Sequence, residues 1–311
     1  MAQARREAPI SLREWLEYAP IALGVRGLRL LPFRWRVPVA GWLASQVVAP
    51  VSGMRRRIRD NLDWVCPDLG AAERARLVRE VPDNLGRAFI ELFSPDDLFR
   101  LAGQTPFEGP GLAALEAARA AGRPVVAVSG HFGNYDVFRA GLILRGFDVG
   151  ALYRPMNNRL FNARYEAAIR ATGEPLFPRG RKGNADMVRH LKQGKLLALL
   201  IDQHMNRGAE LRFFGRPALT AVSAAQLALR YDALLVPIYA IRQPDGRSFR
   251  VVVEDPVPRT DQETMTQVLN DSLEARVRAN MGQWLWTHRR WKVRRGGMVG
   301  DQIMSAGGDG P

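Results

Sequence analysis

The sequence predicts an α/β protein in which helices flank a mostly parallel central sheet, with a further helical segment at the N-terminus. Two patterns favour this fold. After Pro106, short apolar runs of β-prone residues alternate with helical stretches, whereas residues from about 10 to 100 show only helical periodicity. Both faces of a parallel sheet are covered, so its strands are typically continuous apolar runs of this kind.

The first hundred residues carry apolar side chains at three- and four-residue spacing, which is the period of one helix face. Between residues 73 and 93 the series consists of Leu77, Val81, Leu85, Ala88 and Leu92. Pro82 lies inside this series and lacks the N–H that a helix needs, so we expect it to kink or divide the helix.

The longest uncharged run, residues 37–54, is barely long enough to cross a bilayer and is interrupted by prolines and glycines. Arginines stand on both sides of it, whereas a spanning helix typically has basic residues on one side only. With Trp15, Trp35 and Trp42 nearby, these flanks predict that residues 1–60 form a membrane-associating segment, which lies in the interface of an anionic membrane. The alternative is a buried helical hairpin.

Residues 61–304 are expected to form the α/β domain, and the Gly-rich residues 305–311 a disordered tail. The predicted strands are 124–129, 149–153, 196–201, 234–241 and 249–254. The predicted helices are 112–121, 134–145, 159–171, 185–193, 221–230 and 262–283. In such sheets, ligands bind at the carboxyl ends of the strands.

The chain of 311 residues has 45 Lys and Arg against 31 Asp and Glu, a formal charge of +14. This excess predicts attraction to an anionic partner, which includes nucleic acid, phospholipid headgroups, phosphorylated substrates and acidic proteins. The single cysteine, Cys66, excludes an internal disulfide framework and any multi-cysteine metal site. The sequence shows no cluster of metal ligands, and we expect neither a metal nor a cofactor.

The segment Val128 to Asp136 follows a predicted strand and opens a helix, so it lies where a ligand binds. His131 in the turn can meet Asp136 if the acid reaches back from the first helical turn, and Gly130 and Gly133 allow such a turn. A carboxylate at one ring nitrogen stabilises imidazolium and leaves the other nitrogen to accept a proton. Since no Ser or Cys occupies a nucleophile-elbow position beside the pair, this general base would activate a hydroxyl of a substrate.

The spacing of the two residues is weak evidence by itself, since it arises by chance roughly once in five sequences of this composition. The position after a buried strand carries the prediction. In the alternative interpretation, Asn134 or Asp136 caps the helix and His131 is an ordinary loop residue.

This segment resembles the His-x4-Asp/Glu motif of the lysophospholipid acyltransferase superfamily, and more closely the lipid A biosynthesis late acyltransferases (HtrB/MsbB type). Those enzymes also show His-Phe-Gly-Asn followed by an aromatic residue and an acid. Three further blocks of the family have similar counterparts here, in the family's order. They are residues 153–158, residues 202–203 together with 213–217, and residues 284–292. Two departures are Asp136, where many members have Glu, and residues 280–282, where a proline is usual.

The resemblance implies an O-acyltransferase that moves a fatty acyl chain from an acyl carrier protein or coenzyme A thioester to a hydroxyl of a lipid A precursor or related glycolipid. His131 and Asp136 would be its catalytic dyad. It also implies three partners: acyl carrier protein, an anionic glycolipid and the anionic membrane, without nucleic acid. The protein would lie on the cytoplasmic face of the inner membrane and act in lipopolysaccharide biosynthesis.

Five residues are candidates for substrate binding: Arg154, Asp202, Asn134, Phe213 and Phe214. Arg154 and Asp202 follow predicted strands, so both should emerge at the sheet edge of His131. Arg154 is expected to contact a phosphate or the oxyanion, for which backbone amides at 130–133 are the other candidates, unless it forms a structural salt bridge. Asp202 would orient Arg154 or the acceptor, or simply cap its strand. Phe213 and Phe214 line an acyl channel or belong to the core.

Two other functions compete with this one. A glycerophospholipid acyltransferase of the lysophosphatidic acid type would use the same dyad, but such enzymes usually carry an acidic-Gly-Thr-Arg block, which this sequence lacks. A non-enzymatic, basic nucleic-acid-binding protein is supported only by the tryptophans and basic residues around His288, which resemble an interfacial or anion-binding surface.

Overall fold

The computed structural model describes residues 9–291. Its strands are β1 Phe107–Glu108, β2 Val125–Ser129, β3 Val149–Tyr153, β4 Leu176–Pro178, β5 Leu196–Leu200, β6 Ala209–Phe213, β7 Arg216–Thr220, β8 Leu234–Arg242 and β9 Phe249–Val253. Seven of them form one sheet in the order β1-β9-β8-β2-β5-β3-β4, and β6 pairs with β7 in a separate antiparallel hairpin. Strands β8, β2, β5, β3 and β4 are mutually parallel, β9 is antiparallel to β8, and β1 is parallel to β9.

The helices surround this sheet. They are α1 Leu12–Leu28, α2 Phe33–Leu43, α3 Ala49–Val51, α4 Met54–Val65, α5 Ala71–Leu92, α6 Pro95–Gln104, α7 Leu112–Ala120, α8 Tyr135–Leu144, α9 Arg159–Thr172, α10 Arg181–Lys192, α11 Ser223–Tyr231 and α12 Gln262–Ala279. A π-helical turn, Ala44–Val48, joins α2 to α3, and a 3₁₀ turn spans Met281–Gln283.

The central strand β2 is buried along its whole length, because both of its faces are covered. Val125 and Ala127 pack into the cluster that holds α7 and α8, whereas Val126 and Val128 pack into the cluster that holds α10, α11 and α12. This alternation is the period of two that a strand imposes. The prediction of a mostly parallel sheet flanked by helices is therefore confirmed.

The five predicted strands correspond to β2, β3, β5, β8 and β9. Strands β1 and β4 were not predicted, because runs of two and three residues are too short to show a period. The hairpin β6–β7 was also missed. The hairpin contains no continuous apolar run, because polar and charged residues separate its few buried positions. These positions are Leu211, Phe213, Ala218 and Thr220.

The N-terminal helices pack against the rest of the chain. Val37 and Ala40 of α2 lie in one buried cluster with Ile90 of α5, and Arg159 donates to both carboxylate oxygens of Glu14 on α1 at 2.9 Å. Helix α5 continues through Pro82, so of the two expected effects, a kink or a division, the division is absent. The domain boundary predicted at residue 60 falls within α4, and the predicted tail, residues 305–311, lies outside the described residues.

Among residues 9–291, no single helix combines the length and the apolar composition that a membrane span requires. Two consecutive helical stretches, 33–51 and 54–65, meet both requirements only when they are taken together, and they are bent by 86° relative to each other.

Candidate active site

The loop after β2 carries His131 and is held by the neighbouring strands. Gly133 adopts a φ of +58°, and a Cβ at this position would lie 1.8 Å from the carbonyl oxygen of Ala240 in β8. Only glycine allows both the left-handed backbone and so close an approach. Gly130 likewise lies against Leu273 and Asp202. The two glycines that the sequence pattern singled out thus let the loop fold tightly between β8 and the end of β5.

Asp202 follows β5, the strand next to β2, and its side chain meets the His131 loop. The Nδ1 atom of His131 lies 2.8 Å from Oδ1 of Asp202, and the backbone N–H of His131 donates to Oδ2 at 2.7 Å. Because Asp202 is ionised, Nδ1 carries the proton and Nε2 of the neutral ring is the free base. Nε2 of His131 faces the solvent-exposed side of the site, the open side, where the side-chain amide nitrogen of Gln203 lies 3.3 Å away.

The two groups alter each other's pKa. Burial opposes charge on His131, but the charge of Asp202 and its hydrogen bond outweigh burial and raise the pKa of His131 above its usual value. Burial would raise the pKa of Asp202, yet the His131 charge and the hydrogen bonds from His131 and Trp284 lower it to about 2. Asp202 is therefore a carboxylate at every physiological pH.

In place of the predicted hydrogen bond between His131 and Asp136, His131 donates to Asp202 in the structure. Asp136 does lie in the first turn of α8, as expected, but its carboxylate forms no hydrogen bond with any residue in 9–291. Its charge still favours protonation of His131. Burial raises the pKa of Asp136 to about 6, against the opposing charge of Arg139. Asp202 occupies the position beside Nδ1 of His131, because β5 ends directly alongside the loop that carries His131.

Asn134, predicted to bind substrate, is almost fully buried and caps α8 instead. Its Oδ1 accepts from the backbone N–H of Asp136 at 3.0 Å, and its Nδ2 donates to Oε2 of Glu91 at 2.7 Å. Glu91 in turn accepts two hydrogen bonds of 2.7 Å from Arg242. The side chains of Glu91 and Arg242 are 1% and 4% exposed, so a buried ion pair supports the cap next to His131.

The C-terminal segment holds both halves of the site. The indole N–H of Trp284 donates to Oδ2 of Asp202 at 2.9 Å, and the backbone N–H of Leu285 donates to the carbonyl oxygen of His131 at 3.1 Å. The backbone N–H of His204 donates to Nε2 of His288 at 3.0 Å, which fixes the loop after Asp202. Burial lowers the pKa of His288 to about 4, so its ring is neutral and can accept this bond.

Phe213 and Phe214 lie in a buried aromatic cluster with Trp284, Trp286 and Trp291. Phe213 is 1% exposed and Phe214 is 4% exposed, so their rings present almost no surface to an acyl chain. Of the two alternatives, an acyl channel or the core, the structure therefore places both rings in the core. Trp284 and Trp286 are likewise buried rather than part of an interfacial surface. The cluster instead packs around the ring of Trp284, whose indole N–H donates to Asp202.

Arg154 follows β3 and its side chain is exposed. It lines a pocket of about 780 Å³ together with Gln203 and His288, so it lies on the open side of the His131 site as predicted from strand order. Its closest polar contact is a long one, 3.5 Å from its guanidinium to Oδ1 of Asn157. The alternative interpretation, a structural salt bridge of Arg154, has no counterpart among the described residues, since Arg154 forms no ion pair with any of them.

Sequence reasoning missed the hydrogen bonds of Trp284 and Glu91. No local spacing links either residue to His131, because Trp284 comes from the far end of the chain and Glu91 from α5. A buried acid in the apolar face of α5 was the one available signal for Glu91. Within residues 9–291, no group of three His, Cys, Asp or Glu side chains is arranged to hold a metal ion.

The chain is similar in sequence to several known acyltransferases. The chain is 26% identical over 259 residues to the lipid A biosynthesis lauroyltransferase of Escherichia coli K12, which covers 79% of this chain and 82% of that protein. It is 26% identical to the lipid A biosynthesis palmitoleoyltransferase of the same organism, over 91% and 92% of the two chains. The phosphatidylinositol mannoside acyltransferase of Mycobacterium tuberculosis is 25% identical over 77% of this chain and 78% of its own.

The family model described as bacterial lipid A biosynthesis acyltransferase matches residues 4–293, nearly the whole chain. The sequence blocks that carry the resemblance lie together in the structure, since the His131 loop, the end of β5 and the Trp284 segment are in mutual contact. The chain therefore belongs to the family of bacterial lipid A biosynthesis acyltransferases.

Proposed function

We propose that this protein transfers a fatty acyl chain from the thioester of acyl carrier protein or coenzyme A to a hydroxyl of a lipid A precursor. The observation that carries the proposal is the His131–Asp202 pair at the end of β2, with Nε2 of His131 directed to the open side of the site. Nε2 of His131 carries no proton and hydrogen-bonds to no Ser or Cys side chain among residues 9–291, so it suits deprotonation of a substrate hydroxyl for direct attack.

In the proposed reaction, Nε2 of His131 takes the proton of the acceptor hydroxyl while its oxygen attacks the thioester carbonyl. Asp202, whose pKa is about 2, stays ionised and stabilises the imidazolium that forms. The tetrahedral intermediate then expels the thiolate, and the proton on His131 neutralises it. A thiol with a pKa near 8.5 leaves readily without a stronger acid.

The oxyanion needs hydrogen-bond donors, and three of the loop amides are already engaged in other hydrogen bonds. The backbone N–H groups of His131, Gly133 and Asn134 already donate to Asp202, Gln283 and Ala240. Gln203 and Arg154 line the open side of the site, with the Gln203 amide 3.3 Å from Nε2 of His131. We propose that these two side chains stabilise the oxyanion, where loss of one donor typically costs about 3 kcal/mol.

We further propose that residues 10–64 hold the protein on the membrane that contains its acceptor. Of the 17 large apolar side chains that are exposed among residues 9–291, 13 lie between Ile10 and Trp64. They include Trp15, Trp35 and Trp42, and they are interspersed with arginines. Aromatic and aliphatic side chains next to basic ones are typical of surfaces that insert into anionic leaflets, which here would be the cytoplasmic face of the inner membrane.

The nucleic-acid-binding alternative loses its support. It depended on tryptophans interleaved with basic residues around His288, but Trp284 and Trp286 are 1% and 0% exposed and offer no surface to a nucleic acid. The family is one of acyltransferases.

The function is tested with the purified full chain, acyl carrier protein or coenzyme A carrying one fatty acid, and a lipid A precursor that lacks secondary acyl chains. Mass spectrometry should show one acyl chain added, and His131→Ala should lower turnover by about 10²–10⁴-fold while circular dichroism stays unchanged. Lysophosphatidic acid serves as the competing acceptor. Transfer to lysophosphatidic acid alone, or wild-type turnover by the variant, would refute the proposal.

Membrane association has its own test. Sedimentation with vesicles that contain anionic lipid should be strong for the wild type and weak for a variant with Trp15→Ser, Trp35→Ser and Trp42→Ser. Because these side chains are about half exposed, the substitutions should leave the thermal unfolding temperature nearly unchanged. Equal binding by both proteins would contradict the assignment of this surface.

A further inference from the structure

The pocket on the open side of the site has an unusual charge. It encloses about 780 Å³, and its lining contains five arginines and no aspartate or glutamate. The arginines are Arg57, Arg154, Arg179, Arg207 and Arg289. They come from five separate parts of the chain, so the tertiary structure and not a local basic run brings them together.

None of these five arginines forms an ion pair with another residue in 9–291, although many other arginines of the protein do. Their polar contacts are weak or neutral. Arg57 donates to the carbonyl oxygen of Ser52 at 3.0 Å, and Arg179 lies 3.4 Å from the sulfur of Met205. Five guanidinium groups without counter-charges repel one another, and a bound anion would offset that repulsion.

Guanidinium groups match phosphate in charge and geometry, since each can donate two parallel hydrogen bonds to phosphate oxygens. The pocket is large enough for a phosphate together with the groups attached to it. It also adjoins the proposed base, because Gln203 lines the pocket and contacts Nε2 of His131. An anion held here would belong to a molecule whose reacting atoms lie at His131.

We propose that this arginine pocket is a phosphate-binding site, which holds a phosphate group of one substrate while its acyl or hydroxyl group lies at His131. The inference rests on the proposed function and deepens it by naming the chemistry that the substrate must carry. Two sources share that chemistry: the phosphorylated headgroup of the glycolipid acceptor, and the phosphate of the phosphopantetheine or coenzyme A on the donor.

The test uses the double variant Arg179→Gln/Arg207→Gln in the full chain. The matched control is Arg100→Gln/Arg189→Gln, which removes the same charge from exposed arginines that pair with carboxylates outside the pocket. Inorganic pyrophosphate is the probe, and its binding is measured by calorimetry. We expect the double variant to bind pyrophosphate at least about tenfold more weakly, which corresponds to the loss of one or two charge-assisted hydrogen bonds, and the control to bind it as the wild type does.

Kinetics then identify the source of the phosphate. If the acceptor supplies it, the double variant raises KM for the phosphorylated acceptor at least about tenfold, and a dephosphorylated acceptor abolishes the difference from wild type. If the donor supplies it, KM rises for the carrier protein or coenzyme A thioester but not for an N-acetylcysteamine thioester, which has no phosphate.

Equal pyrophosphate binding by the double variant and the wild type would overturn the proposal. So would weaker pyrophosphate binding with unchanged KM for every substrate, since the pocket would then bind anions without serving the reaction. These outcomes differ from failure of the proposed function itself, in which the wild type shows no acyl transfer with any donor and acceptor while the calorimetry still reports on the pocket.

Discussion

Trp284 and the backbone N–H of His131 donate to the same carboxylate oxygen, Oδ2 of Asp202, at 2.9 and 2.7 Å. The other oxygen, Oδ1, receives Nδ1 of His131. Three donors thus hold a carboxylate whose side chain is 1% exposed. Such an arrangement fixes both the tautomer and the direction of the imidazole.

The first prediction concerns which acid controls His131. Replacing Asp202 by Asn removes the charge that raises the pKa of His131, so burial then lowers that pKa. His131 acts as a base only when neutral, so the acidic limb of the rate profile should move to lower pH. The maximal rate should fall by up to about 10⁴-fold because the tautomer is no longer fixed.

The matched variant is Asp136→Asn. Its charge is the smallest of the causes that act on the pKa of His131, so the acidic limb should move less. The measurement is kcat/KM for acyl transfer between about pH 5 and 9, the range in which a histidine base titrates. A larger displacement in Asp136→Asn than in Asp202→Asn would favour the pairing that the sequence suggested.

The second prediction isolates the indole hydrogen bond. Trp284→Phe keeps an aromatic ring in the cluster but loses a bond to a charged acceptor, which is worth about 1.5–3 kcal/mol. We expect kcat to fall about tenfold or more with little change in KM. Trp286→Phe is the control, because Trp286 donates to the carbonyl oxygen of Met281 and does not contact Asp202. If both variants lose the same activity, the cluster contributes only stability.

The third prediction concerns the buried ion pair. Glu91→Gln leaves the guanidinium of Arg242 buried without its counter-charge, and we expect the free energy of unfolding to fall by about 3–5 kcal/mol. The half-exposed pair of Arg250 with Glu108 is the comparison, and Glu108→Gln should cost less than about 1 kcal/mol. Urea unfolding followed by circular dichroism measures both. Similar losses would mean that the Glu91 site is more hydrated than its burial indicates.

The fourth prediction separates backbone strain from steric overlap in the His131 loop. Gly133 and Gly122 both have positive φ angles, +58° and +62°. A methyl group added at Gly133 would lie 1.8 Å from a backbone oxygen, whereas one added at Gly122 would face open space. Gly122→Ala should cost about 1–2 kcal/mol. Gly133→Ala should cost clearly more and should also reduce kcat, because the loop must move away from β8. Thermal unfolding and turnover of the two variants provide the comparison.

Much of the fold could be predicted because its strands are continuous apolar runs. The strands β2, β3, β5, β8 and β9 stand out for this reason, and the helices between them carry a clear period. The short strands β1 and β4 carry no such signal. Their place at the two edges of the sheet depends on pairing with the neighbouring strands β9 and β3. The extent of α5, in contrast, is close to that of the apolar series between residues 73 and 93, and Pro82 lies inside the helix without dividing it.

By itself, the sequence determined the family, the α/β fold class and the position of His131 at the end of a central strand. These follow from local patterns: periodicity, glycines in a turn, and blocks of characteristic residues. The tertiary structure alone decided which carboxylate meets the imidazole. Asp202 lies 71 residues from His131 and Trp284 a further 82 residues along the chain. Side chains at the ends of parallel strands meet through strand order, and strand order is a property of the folded sheet, not of sequence spacing.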